Sequence, residues 1–137
     1  MPVVKNIESI KRITVLYVAP NELPKELIMP PTVRTLKEII NGPIKTIYLQ
    51  TDVRDKPVIL CNANKDRSLT TANRYLPPYG IIYGNFIIVR ETSNGDYKSL
   101  TKEQISTYQS MFNNESISQV NEQIKNLIAL RRKIRRM

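Results

Sequence analysis

The sequence predicts an α+β fold, with a mostly antiparallel sheet of about five strands and a short helix, followed by two C-terminal helices. Three observations support this prediction. Five short runs of β-branched and aromatic residues are separated by Pro, Gly and Asn. One helix pattern lies among these runs, and two more follow the last of them. This order, β-β-α-β-β-loop-β-α-α, is typical of an α+β domain in which most strands pair antiparallel.

The five predicted strands are apolar segments bounded by turn-forming residues. They cover residues 12–19, 25–29, 44–50, 57–61 and 81–90. Pro20 ends the first, and the second lies between Pro24 and Pro30, since Pro cannot donate a hydrogen bond to a neighbouring strand. Gly84 lies inside the last segment, where a Gly usually marks a bulge or the close approach of another backbone or a ligand. Residues 62–80 show no clear element.

The short helix between the second and third strands has a start signal and a stop signal. Thr32 or Thr35 can cap its N-terminus, and Thr35 with Glu38 three residues later matches a capping box. Asn41-Gly42-Pro43 is expected to end the helix, because Gly accepts a left-handed backbone and Pro cannot continue a helix.

Two further capping-box patterns predict the C-terminal helices. Thr101 with Gln104 opens the first of them, and Ser116 with Gln119 opens the second. The pair Asn113-Asn114 separates the two.

The last helix carries an apolar stripe that needs a covering surface. Its members recur at three- and four-residue spacing and are Ile117, Val120, Ile124, Leu127 and Ile134. Arg131 occupies the position where a further apolar residue is expected. The cover is either the protein's own core or the same helix of a second copy, and we expect a homo-oligomer formed through residues 117–134.

Missing residue types limit the chemistry that this chain can perform. It has no His, no Trp and a single Cys, Cys61. Without His there is no Ser-His-Asp or Cys-His machinery, and one Cys alone cannot build a zinc, iron–sulfur or blue-copper site. No signal peptide or apolar run of about 18 residues is seen, and a lone Cys suits a reducing compartment. We therefore expect a cytoplasmic protein that is not an enzyme, has no cofactor or metal and does not bind a membrane.

The positive charge is concentrated at the C-terminus. Residues 1–116 hold 15 basic and 11 acidic side chains, which gives +4, and residues 117–137 hold 6 basic and 1 acidic, which gives +5. We therefore expect an α+β domain at 1–116, including an arm at 1–11, and a basic helix at 117–137. The cations expected to contact nucleic acid or another partner are Arg131, Arg132, Lys133, Arg135 and Arg136. With no interleaved aromatic residues, phosphate contact would be non-specific and salt-sensitive. The alternative is a solubilising helix face.

Residues 62–80 are the candidate ligand site, because unstructured connections longer than about 12–15 residues are uncommon and often functional. The side chains expected to bind a nucleotide-type anion are Asn62, Lys65, Arg67, Asn73, Arg74, Tyr79 and Tyr83. Arg can hold two phosphate oxygens at once, and Tyr can stack on a nucleobase. The alternative is structural. Asn62 and Asn73 would then satisfy turn backbones, and Arg74 would pair with an acid such as Asp66.

Five motifs in a fixed order give the chain a family resemblance. They are Val58-Ile-Leu-Cys-Asn62, Asn73-Arg-Tyr-Leu76, Ile81-Ile-Tyr-Gly-Asn-Phe-Ile-Ile-Val89, Gly95-Asp96 and Ser99-Leu-Thr-Lys-Glu-Gln104. Together they resemble the domain-of-unknown-function family 3846 over roughly residues 12–112. That family is seen mainly in phages, prophages and plasmids, so the resemblance implies a small, cytoplasmic accessory product of a mobile element and no assigned reaction. The basic helix lies outside the shared region.

Two functions are expected from these features. The first is a non-catalytic binder that antagonises a host defence system, either by trapping a nucleotide-type signal or by inhibiting a defence protein. It is favoured by the family resemblance, the polar segment 62–80 and the lack of catalytic residue types. The alternative is a non-specific nucleic-acid-binding accessory protein that acts through its basic C-terminal helix, which is favoured by the +5 charge of residues 117–137.

Overall fold

An antiparallel sheet forms the frame of the protein. A computed structural model describes residues 11–64 and 71–135. Its strands are β1 (Ile13–Val18), β2 (Lys25–Met29), β3 (Ile44–Tyr48), β4 (Lys56–Asn62), β5 (Ala72–Leu76), β6 (Gly80–Tyr83), β7 (Phe86–Glu91) and β8 (Tyr97–Lys98). Its helices are α1 (Val33–Ile40), α2 (Lys102–Met111) and α3 (Asn114–Arg135).

Strand β7 lies at the centre of this sheet, between β1 and β4. The strand order is β2-β1-β7-β4-β3, all pairings are antiparallel, and β8 pairs with the end of β7. Ile88 of β7 is opposite Leu16 on one side and Ile59 on the other, which fixes the register. The predicted α+β class with a mostly antiparallel sheet is confirmed, and β5 and β6 form a separate hairpin beside it.

Helix α1 covers one face of the sheet. Successive strand residues point to opposite faces, so alternate positions of β1, β4 and β7 form this half of the core. They are Ile13, Val15, Val58, Leu60, Ile87 and Val89. Leu36 and Ile40 of α1 belong to the same cluster, since residues four apart lie on one side of a helix.

The opposite face is covered by α2, the hairpin and the start of α3. The sheet contributes Leu16, Val18, Ile59, Cys61, Phe86 and Ile88, and the covering layer contributes Ile82, Leu100, Tyr108 and Phe112. The rings of Phe86 and Phe112 meet edge to face with centroids 5.3 Å apart. This face therefore brings residues from widely separated parts of the chain together, and the candidate site lies at its edge.

The cap of α1 is Thr32, one of the two residues that the sequence allowed. Its side chain accepts a hydrogen bond from the Thr35 backbone N–H at 3.2 Å. Glu38 pairs with Arg34 at 3.4 Å rather than closing a capping box with Thr35. Asn41 ends the helix in the left-handed conformation, and its N–H donates to the Lys37 carbonyl.

The C-terminal helices begin at side-chain caps. The capping box of Thr101 and Gln104 is confirmed, with both reciprocal hydrogen bonds present. Helix α3 begins three residues before the predicted start, because Asn113 and not Ser116 is its cap, and the Asn113 side chain accepts hydrogen bonds from the backbone N–H groups of Glu115 and Ser116. Ser116 is itself buried, and its hydroxyl donates to the Asn113 carbonyl.

The region between β4 and β7 differs from the prediction. Residues 62–80 contain β5, and the predicted strand 81–90 is split into β6 and β7, which belong to different sheets. The break is at Gly84, whose φ of +79° is favourable for Gly and strained for other residues. Strand β5 was not predicted, because its polar residues do not follow the apolar pattern expected of a strand. The hydrogen-bond partners of these polar residues lie far away in the sequence.

The first half of α3 is part of the domain, so the predicted boundary at residue 116 falls inside this helix. Val120 is only 2% exposed, and α3 packs against β5. A truncation at residue 116 would therefore open the core.

Among the helices of residues 11–64 and 71–135, none combines the length and the apolar character that a membrane-spanning helix needs.

Candidate ligand cleft and basic helix

Arg74 is a buried structural residue, which corrects its predicted role as a ligand-binding residue. Its side chain is 0% exposed and donates to the carbonyl oxygens of Glu22, Asn73 and Phe112. It also donates to the side-chain oxygen of Asn73 at 2.9 Å. These acceptors are backbone and amide oxygens, and no acid of the described residues pairs with Arg74. Burial lowers the pKa of Arg74 to about 10, so its desolvated charge opposes folding and the hydrogen bonds offset that cost.

Asn73 is corrected in the same way. It is 0% exposed, and its side-chain amide donates to the carbonyls of Val18 at 3.0 Å and Gly84 at 2.7 Å. The β5–β6 register shifts between Ala72 and Arg74, and this irregularity accompanies two consecutive buried polar side chains. Asn73 and Arg74 thus tie the hairpin to β1 and to the end of α2, and neither side chain can reach a ligand in solvent.

Asn62 also serves its own chain, as the structural alternative anticipated. Its amide nitrogen donates to the carbonyls of Asn41 at 2.8 Å and Ile40 at 3.4 Å, and its oxygen accepts from the Asn64 N–H. A Cβ at Gly42 would collide with this amide, so any other residue there would displace the Asn62 side chain from its hydrogen bonds. Asn62 therefore joins the end of β4 to the C-terminus of α1.

A cleft of about 400 Å³ lies between the end of the sheet, the hairpin and α3. Tyr79 and Tyr83 line it together with Asn62, so three of the seven predicted ligand residues do meet. Lys65 and Arg67 lie outside the described residues. The other lining residues are Lys45, Ile47, Cys61, Ala63, Tyr75, Gly80, Ile81, Ile82, Gln123 and Leu127.

Two polar residues of the cleft were not predicted from the sequence. Lys45 is exposed on β3, and Gln123 is half-buried on α3. Lys45 precedes the buried Ile47 by two residues, so strand alternation places both on one face. Gln123 lies three residues after Val120 and four before Leu127, which is helical spacing for one face. This periodicity could have predicted which face of its strand or helix each residue occupies. It could not have predicted that these faces lie opposite the hairpin, because the hairpin itself was not predicted.

Cys61 lines the cleft as a shielded thiol. It is 5% exposed, and its Sγ lies 3.7 Å from the Lys45 carbonyl oxygen. Burial raises the pKa of the Cys61 thiol, while the charge of Lys45 lowers it by less. Because the thiolate is the reactive form, this environment lowers the reactivity of Cys61 at neutral pH.

We expect the folded protein to react with a disulfide reagent at pH 8 at least about tenfold more slowly than the protein unfolded in urea. The rate of the folded protein should rise with pH and reach its midpoint above the ordinary thiol value of about 8.5. The chain has a single Cys, so the released thiol chromophore reports on Cys61 alone. Equal rates in the folded and unfolded states would contradict the shielding.

The second half of α3 is exposed. We call residues 125–135 the basic segment. Its described cations at the end of the helix are Arg131, Arg132, Lys133 and Arg135, all exposed. None of their side chains makes an ion pair or a hydrogen bond to another described residue. Arg136 lies outside the described residues.

Apolar side chains accompany these cations. Leu127, Leu130 and Ile134 are 40%, 53% and 60% exposed. In contrast, Val120 in the first half of the predicted stripe is buried in the protein's own core. The stripe is thus covered by the domain at one end and uncovered at the other. Self-association through residues 117–134 stays a prediction.

Fold and site together define a small α+β protein in which one sheet face carries a helix and the other carries a hairpin, a cleft and a basic helix. The chain belongs to the family described as Domain of unknown function (DUF3846), whose model matches residues 13–113. This confirms the resemblance and leaves the basic segment outside the matched region. Neither the curated proteins nor the solved structures gave a match.

Proposed function

We propose that this protein is a non-catalytic accessory protein that binds nucleic acid through the phosphate contacts of its basic segment. The observation that supports this most directly is the set of exposed cations at the end of α3, which have no partner among the described residues. Cations that serve a fold are usually paired or packed, as Arg74 is here. Four unpaired cations within five residues of one helix concentrate positive charge in a way that suits an external polyanion.

The geometry of the helix favours a backbone-directed contact. Consecutive helical residues are separated by about 100°, so Arg131, Arg132 and Lys133 point in three directions and surround the helix with positive potential. The segment of 11 residues from 125 to 135 is about 16 Å long, which spans several phosphates of one strand. It has no aromatic residue to stack on bases. Binding should therefore be independent of base sequence and sensitive to salt.

The test compares two variants that lose the same charge. The helix variant replaces Arg131, Arg132, Lys133 and Arg135 with Gln. The body variant replaces four exposed cations elsewhere, Lys11, Lys37, Arg54 and Lys102, with Gln. Affinity for a fluorescent 20-base-pair DNA is measured by anisotropy at several salt concentrations between about 50 and 200 mM. Both variants keep the residues that pack the core.

We expect the logarithm of the wild-type affinity to fall with the logarithm of the salt concentration with a slope of about −2 to −4, because two to four of these cations can contact the phosphates of one duplex. The helix variant should lose most of its affinity and most of this slope. The body variant should keep the slope, because its four cations are dispersed over separate parts of the domain and not clustered on one helix. Equal losses in the two variants, or no wild-type binding at the lowest salt, would overturn the proposal.

Inhibition of a host defence protein is the second candidate, and the exposed apolar residues favour it. A phosphate backbone offers no apolar surface to Leu127, Leu130 and Ile134, whereas an acidic protein surface can cover them and match the flanking cations. Replacing these three residues with Ser leaves every charge in place. Nucleic-acid binding should survive that change, and docking on an acidic protein should not. An accessory role in a mobile element is part of both proposals, because it rests on the occurrence of the family in phages, prophages and plasmids.

A further inference from the structure

The cleft beside α3 has fixed walls. Arg74 and Asn73 hold the hairpin against β1 and the end of α2, and Asn62 holds the end of β4 against α1. The first half of α3 is held by Val120, which is buried. Ligand sites are typically hollows of about 300–1,000 Å³ that exist before the ligand arrives, and a volume of about 400 Å³ is in this range.

The cleft also combines the two surfaces that a nucleotide needs. Tyr75, Tyr79 and Tyr83 offer aromatic rings on the hairpin side, and the sheet side offers the ammonium group of Lys45. Lys45 has no ion pair with any described residue. The amide of Gln123 also has no hydrogen-bond partner among them. These groups are thus available to a ligand, unlike the amide of Asn62.

A second hollow shows the contrast. It is lined by Tyr48, Arg54, Lys56 and Glu91, among others. There the Tyr48 hydroxyl already donates to the Glu91 carboxylate at 2.8 Å, so its aromatic and acidic residues are engaged with each other. In the cleft beside α3, no hydrogen bond or ion pair joins two side chains of the described lining residues, and the Cys61 thiol donates only to the Lys45 backbone carbonyl.

We propose that this cleft binds a mononucleotide, with the base against Tyr79 and Tyr83 and the phosphate at Lys45. Stacking on tyrosine is tolerant of base identity, and the amide of Gln123 can both donate to and accept from a base edge. One ammonium group suits a monophosphate better than a triphosphate, because each further phosphate adds charge that the described lining residues do not neutralise. This inference does not depend on nucleic-acid binding by the basic segment.

The experiment uses the full chain and titrates AMP, GMP, CMP, UMP, cyclic AMP and cyclic GMP by calorimetry, up to about 1 mM. Adenosine and inorganic phosphate are measured beside them as the two halves of the ligand. The cleft variants are Lys45→Gln and Tyr79→Ala, both at exposed positions where the fold should tolerate the change. Their matched controls are Lys37→Gln and Tyr48→Ala, at exposed positions outside the cleft.

We expect at least one mononucleotide to bind, adenosine to bind more weakly than AMP, and phosphate alone not to bind. Each cleft variant should weaken binding tenfold or more, and each control should stay within about twofold of the wild type. No binding by any of the six nucleotides would overturn the proposal. So would binding that survives both cleft variants, or binding that is lost only when the cations of the basic segment are replaced.

Discussion

Replacing Arg74 with Met should lower the free energy of unfolding by about 3 kcal/mol. The Arg74 side chain makes five hydrogen bonds, to three backbone carbonyls and one side-chain oxygen. Met fills part of the same volume but leaves the carbonyls of Glu22 and Phe112 without these donors, and each such loss costs about 1–3 kcal/mol. The loss is smaller than the full sum, because the variant no longer has to bury a charge.

The control is Arg34→Met on α1. The Arg34 side chain is 89% exposed and, among the described residues, pairs only with Glu38 on the same helix, so its removal should change stability by less than about 0.5 kcal/mol. Both variants are measured by urea unfolding followed by circular dichroism. If the Arg74 variant unfolds at the same urea concentration as the wild type, its hydrogen bonds do not hold the hairpin in place.

Phe112→Ala should cost about 3–5 kcal/mol, which is the range for removing a buried aromatic side chain. Phe112 is 1% exposed and ends α2, and its ring packs edge to face on Phe86 of the central strand. The small side chain leaves a cavity between the sheet and the helices that the surrounding residues can only partly fill. The loss should appear as a lower melting temperature and a lower urea midpoint.

Met111→Ala is the matched control for this prediction. Met111 is the preceding residue in the chain and is 44% exposed, so little apolar surface is lost with it. Its effect should stay below about 1 kcal/mol. Comparable losses in the two variants would mean that the end of α2 is stabilised by the helix itself and not by packing on Phe86.

The strands of the central sheet were predictable because their signal is local. β1, β4 and β7 are buried on both faces and appear as continuous apolar runs in the sequence. The proline residues around β2 and the capping box of α2 are equally local. A pattern that is decided within a few residues can be read from one sequence.

The hairpin was not predictable in this way, because its key contacts are distant. Asn73 bonds to Val18, which is 55 residues away, and Arg74 bonds to Phe112, which is 38 residues away. Polar side chains in a strand then resemble those of a loop. The same residue types that suggested a phosphate site were already used to fix the fold, since buried carbonyls and phosphates accept the same hydrogen bonds.

The cleft was predicted only in part for a related reason. Tyr79 and Tyr83 belong to the segment that the sequence singled out, but Lys45 and Gln123 come from β3 and α3. Each lies on an element with a clear period, so its face could be inferred. The order of strands in the sheet decides which of these faces meet. That order cannot be inferred from any short stretch of one sequence.

Helix α3 contributes Gln123 and Leu127 to the cleft, and the cations of the basic segment lie further along the same helix. One helix would therefore contact both proposed ligands. If either ligand changes the affinity of the protein for the other, thermodynamic reciprocity requires that the second change the affinity for the first by the same factor. If both ligands bind, the factor by which one changes the affinity for the other can be measured by titrating either of them in the presence of the second.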